Sequence, residues 1–132
     1  MSEREEELLQ AYRTGAVQYP GPAGAVSAYQ SRPKTPDRRP VVVVIHENRG
    51  LAAYIEDVAR RLARAGCHAL APDLLSRRGS TAAYATPLAA IEAIRGLSND
   101  EVQADLRAAL AWLQKAEGVR GDRLGVGVRV WR

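Results

Sequence analysis

The sequence has one cysteine, Cys67, one methionine and no phenylalanine. A lone thiol excludes an internal disulfide and any zinc site built on a cysteine cluster. Aromatic residues make up only 5% of the chain, too few to serve as stacking platforms for bases beside its arginines. No apolar run approaches the ~18 residues that a helix needs to cross a bilayer. The opening MSEREEELLQ is acidic and lacks a basic-then-apolar secretory pattern, so a cytoplasmic chain with no membrane attachment is expected. The two histidines, His46 and His68, stand at no metal-ligand spacing with a carboxylate, so neither a metal nor a cofactor is expected.

What is present is an ordinary globular composition, 46% hydrophobic and 26% charged over 132 residues, which by length is one domain. The net charge is +4. Its arginines are scattered rather than grouped in a patch, so a solvated surface accounts for them and no nucleic-acid partner is expected.

The densest signal is VVVVIHENRG, residues 41–50. Five β-branched aliphatics in a row read as a strand covered on both faces, as in the middle of a parallel sheet. They run directly into His46, Glu47, Asn48, Arg49 and Gly50. Polar groups on the end of a buried strand are costly unless something uses them.

Around this strand the chain divides readily. Residues 3–13 suit a short polar helix. Ala16–Tyr19 and Ala25–Arg32 read as strands joined by the turn Pro20–Gly24. Residues 33–40 form a proline-rich connector expected to lack regular structure. Ile55, Val58, Ala59 and Leu62 recur at helical spacing within Tyr54–Ala65, with Gly66 as the stop. Cys67–Ala71 returns to strand, residues 76–81 to loop, and 82–95 to an Ala-rich helix whose boundary Pro87 leaves open. Ser98-Asn99-Asp100-Glu101 is a capping box opening a helix that carries Val102, Leu106, Ala109, Leu110 and Leu113 on one face, with Gly118 ending it. Arg123–Val128 is a last strand. From Val41 the order β-α-β-α-α-β predicts a parallel sheet with crossover helices. Ligands of such sheets bind beyond the carboxyl ends of the strands. That places His46–Gly50 and Pro72–Arg78 at the site.

The segments VVVVIHENRGLAAYIEDVARRLARAGCHALAPDLLSRRG and DLRAALAWLQKAEGVRGDRLGV resemble the dienelactone hydrolase family of α/β-hydrolases. AVSAYQSRP resembles its early strands. The likeness runs from about Ala16 to Val126, the first half of a family domain. It implies a partial α/β-hydrolase fold, a mostly parallel sheet with flanking helices, ending at the strand that precedes the nucleophile elbow. Residues 1–132 are then a single incomplete domain, with 1–15 as an N-terminal helical, polar extension. The implied substrate is a small ester or lactone carrying a carboxylate. Glu47 matches the residue that controls the nucleophilic thiol, the Asn48 N–H one oxyanion donor, and Arg77 the guanidinium that binds the substrate acid. Plainer readings stand beside these. Glu47 caps the next helix or pairs with Arg49, Arg78 serves as well as Arg77, and Asp73 fixes its own turn.

The sequence departs from the family where a G-x-C-x-G elbow belongs, reading RLGVGVRVWR instead. No elbow nucleophile and no downstream Asp or His complete a triad. Cys67, at the other end of its strand, is expected to be a small buried thiol. The serines at 76, 80 and 98 lack elbow glycines. The chain is therefore expected to be truncated before its nucleophile, by a shifted frame or an early stop, and inactive alone. The competing expectation is a binding or self-assembly module that forms a homo-oligomer through its exposed last strand, with Arg129 and Arg132 partly blunting that edge.

Overall fold

The computed structural model describes residues 2–35, 39–116 and 119–129, with the backbone alone for Leu8, Leu9 and 119–129. Its elements are α1 (Glu3–Ala11), β1 (Tyr12–Gly21), β2 (Gly24–Pro33), β3 (Arg39–Ile45), α2 (Ala53–Arg64), β4 (His68–Pro72), α3 (Pro87–Arg95), α4 (Asn99–Gln114) and β5 (Val119–Arg129). Two single 3₁₀ turns, Ser76–Arg78 and Thr81–Ala83, lie between β4 and α3. The five strands form one sheet in the order β1-β2-β4-β3-β5. The hairpin β1–β2 is antiparallel and joins β4 antiparallel, while β4, β3 and β5 run parallel.

Alternation along β3 builds the two cores. Val41 and Val43 pack with Leu70, Tyr19, Val26, Ala109 and Leu113 beneath α4. Val42 and Val44 pack on the other face with Ala71, Ile55, Val58 and Leu62 of α2. A strand with helices on both sides has no solvent face, and this explains the unbroken aliphatic run.

Local chemistry sets the helix ends. Gly66, at φ +100°, closes α2: the Gly66 N–H donates to Ala63 O and the Cys67 N–H to Leu62 O, the double bond of a Schellman turn. At α4 the Ser98 hydroxyl accepts from the Glu101 N–H, and the Glu101 carboxylate accepts from the Ser98 N–H.

Several boundaries differ from the sequence expectation. β1 begins at Tyr12, so the first helix ends earlier and the hairpin is longer, turning tightly on Pro22 and Ala23. The connector is shorter, because β2 runs to Pro33 and β3 starts at Arg39. Pro40 is tolerated within β3 because the β3–β5 register shifts between Arg39 and Val41, where the missing donor removes little pairing. The predicted helix 82–95 starts only at Pro87, which takes the first helical position behind a Thr86 cap. Gly118 and Arg132 lie outside the described residues.

Candidate active-site rim

The carboxyl ends of β3 and β4 are adjacent, and their two loops are tied together by buried polar bonds. His46, 5% exposed, is the first tie. Its Nδ1 lies 2.8 Å from Glu47 O and its Nε2 accepts the Leu74 N–H at 2.9 Å. The acceptor role of Nε2 puts the proton on Nδ1, where it is donated to the carbonyl. Burial pushes the His46 pKa down, against the raising effects of the Glu47 carbonyl and of Asp73. A neutral ring with both nitrogens engaged is a strut rather than a base.

Asp73 is the second tie. Its carboxylate accepts from the Leu75 N–H at 3.0 Å, the Thr81 N–H at 2.8 Å and the Thr81 hydroxyl at 2.8 Å. The same hydroxyl oxygen accepts the Leu51 N–H at 2.9 Å, linking back to the β3 loop. Gly50, at φ +77°, presses against Thr81, and a Cβ there would overlap the threonine side chain. Glycine is required on both counts. Ser76 donates to Asp73 O at 2.6 Å and accepts the Ser27 N–H at 3.0 Å, so its hydroxyl pins this loop to β2.

On this frame Glu47 is half-buried, and its carboxylate accepts a hydrogen bond from the Tyr54 hydroxyl in the first turn of α2. Asn48 is exposed at the crest of the turn closed by Gly50 N–H to Glu47 O. Among the described residues its N–H has no hydrogen-bond acceptor. Arg77 leans toward the α4 side. Its Nε and Nη2 donate to the two Asp105 oxygens at 2.9 and 3.1 Å, and Nη1 stands 3.6 Å from the Glu101 carboxylate. The Asp105 hydrogen bond, the largest effect, holds the Arg77 pKa above its ordinary value. Arg78 is more exposed and reaches the Glu101 carboxylate at 3.0 Å. Glu47 and Arg77 thus share one end of the sheet but lean to opposite faces, Glu47 to α2 and Arg77 to α4.

Three contributors were not singled out from sequence. Tyr54 was legible only as the start of a helix, although it stands one turn in from the His46–Gly50 cluster. Thr81 carried no signal, since its role depends on two loops meeting. Asp105 did leave a trace, being a carboxylate inside the apolar stripe Val102, Leu106, Ala109; it is 3% exposed.

At the opposite end of the sheet, Cys67 precedes β4 and is half-buried rather than buried, with its pKa pushed up by burial. A thiol of raised pKa is a poor nucleophile. His68 is 1% exposed. Among the described residues no group of three or more His, Cys, Asp and Glu comes together as a metal site, and no helix is long and apolar enough to cross a membrane.

Residues 26–127 match the model of the dienelactone hydrolase family. A protein of Escherichia coli K12 described as hydrolase fragment YghX is 56% identical over 66 residues, spanning 48% of this chain and 56% of its own length. A protein of Methylorubrum extorquens described as a carboxymethylenebutenolidase is 31% identical over 118 residues, which is 89% of this chain and 40% of the relative. The crystal structure of a protein from Klebsiella pneumoniae described as a dienelactone hydrolase superposes with a TM-score of 0.78 at 30% identity, covering 89% of this chain and 50% of that one. The chain spans about half the length of the relatives it matches.

Proposed function

Because the chain belongs to the dienelactone hydrolase family, we propose that its rim is the oxyanion-binding and acid-binding side of a site for small esters or lactones, and that these 132 residues carry out no turnover alone. The observation that carries the reading is the turn at Asn48, an exposed residue whose N–H is left without a described partner while His46 before the turn and Gly50 and Leu51 after it are tied to the β4 loop. A carbonyl oxygen seated there would meet a backbone donor held in place before any negative charge develops.

The other residues take roles around that point. Glu47 offers a carboxylate to accept or hold a thiol proton, and Tyr54 fixes its direction. Arg77, paired in this structure with Asp105, carries a planar fork of the kind that suits the carboxylate of the substrate. The nucleophile is what the chain does not supply. Its one thiol, on Cys67, precedes β4 at the far end of the sheet, and the described serine hydroxyls at 76 and 98 serve loop and cap. A cytoplasmic setting belongs to the same reading and is supported by an unpaired thiol.

A second reading rests on β5. It pairs with β3 on one side and with no described strand on the other. A free strand edge is a template for pairing, so self-association through β5 is a reading in its own right. Hydrolysis of p-nitrophenyl acetate by the purified chain, before and after iodoacetamide, tests the first reading. Rates at the buffer background support it, whereas saturable hydrolysis abolished by alkylation overturns it. Sedimentation at several concentrations tests the second, for which a concentration-independent monomer is the contrary result.

A further inference from the structure

The fork of Arg77 is already filled. Nε and Nη2 grip Asp105 in a two-point pair, Nη2 also reaches Glu101 O at 3.5 Å, and Nη1 faces the Glu101 carboxylate at 3.6 Å. A bidentate guanidinium–carboxylate pair is the arrangement an incoming acid would itself form. Any acid that binds Arg77 must therefore displace Asp105, which is 3% exposed. A buried carboxylate left without a donor is strongly unfavourable.

A waiting donor is present. The Tyr19 hydroxyl is buried and, among the described residues, has no hydrogen-bond partner. The charge of Asp105 is felt there: burial first and Asp105 second push the Tyr19 pKa up. Asp105 Oδ1 also lies against the hairpin, 3.5 Å from where a Cβ on Gly21 would stand. Gly21 and Tyr19 line an open pocket of about 400 Å³ together with Gln18, Pro20, Gly24 and Ala25. The carboxylate thus lies against the hairpin at Gly21, two residues from the Tyr19 that carries the unpartnered hydroxyl.

We propose that Asp105 is a specificity-determining latch on Arg77, an internal competitor that a substrate carboxylate displaces toward the Tyr19 hydroxyl. The inference rests on the reading of Arg77 as the acid-binding residue. It adds that the rim discriminates against acids as long as the latch is shut, because an acid must exchange one two-point pair for another, whereas an uncharged ester binds without disturbing it. Arg78 does not replace Arg77 here, since its guanidinium is held by Glu101 at the surface.

The test measures 2-furoate binding by isothermal titration calorimetry in every variant, follows the Arg77 Nε–H signal of the ¹⁵N-labelled chain wherever Arg77 is kept, and uses methyl 2-furoate as the uncharged control. Asp105→Asn is expected to bind 2-furoate about tenfold more tightly than the unaltered chain, and adding Arg77→Gln is expected to abolish that gain. Tyr19→Phe, which keeps the ring stacked on Trp112 at 5.4 Å, is expected to weaken 2-furoate binding several-fold and leave the ester control unchanged. This variant keeps the proposal testable if Asp105→Asn does not fold. If the unaltered chain binds 2-furoate through Arg77 as tightly as Asp105→Asn does, the latch is wrong and the acid-binding reading stands. If no variant shifts the Arg77 signal, both fall. Binding to Asp105→Asn that survives Arg77→Gln places the acid elsewhere and overturns the proposal.

Discussion

His68 predicts a pH dependence of stability that can be worked from its surroundings. The ring is 1% exposed at the start of β4. Its Nε2 meets Gln30 Oε1 at 3.1 Å, and the edge of Trp112 lies against it with centroids 6.3 Å apart. Nδ1 has no partner among the described residues. Burial, and then the positive charges of Arg32 and Arg39, lower its pKa from 6.5 to about 4. The fold therefore keeps the imidazole neutral while the unfolded chain takes up a proton near pH 6.5. Stability is full above that pH and is lost as the pH falls toward 4. A fall from 6.5 to about 4 corresponds to about 3 kcal/mol. Urea unfolding of the unaltered chain and of His68→Gln, from about pH 7.5 to about pH 4, isolates this contribution from that of the carboxylates. The advantage of the unaltered chain over the variant should shrink by about 3 kcal/mol across that range. Parallel stability curves would refute the reasoning, because they would mean that His68 protonates in the fold as easily as in the unfolded chain.

Three further outcomes follow from local geometry, each read by urea denaturation. Gly50→Ala combines φ +77° with overlap on Thr81 and should cost about 2 kcal/mol, where a neutral effect would count against the loop tie described above. Ser98→Ala removes one arm of the α4 capping box and should cost about 1 kcal/mol, partly recovered by Ser98→Asp. Leu113→Ala empties a fully buried position beneath the sheet and should cost about 2–5 kcal/mol, whereas a loss below that range would mean that α4 collapses onto the space left behind.

Much of this fold was legible because period and capping act locally. Val41–Ile45 announced a strand with two covered faces, and both the Gly66 stop and the Ser98–Glu101 box are decided by neighbours in sequence. The hairpin was recognised but cut short, because Tyr12–Gly15 carries little hydrophobic signal and is held by pairing with Gln30–Pro33. Pro87 left the boundary of the 82–95 helix open, and the Thr86 cap settles it by making Pro87 the first helical residue. The location of the candidate site was legible in part. Glu47, Asn48 and Arg77 all lie beyond the carboxyl ends of β3 and β4. What sequence did not reveal is long-range by nature: Thr81 between Asp73 and Leu51, and Asp105 closing on Arg77 from 28 residues away.

A small ester is expected to lodge at the Asn48 turn. Amide shift mapping of the ¹⁵N-labelled chain with methyl 2-furoate tests this directly. The largest changes are expected at Asn48, Gly50 and Leu51, with smaller ones at Leu74 and Thr81. Changes concentrated at Cys67 and His68, at the other end of the sheet, would contradict it.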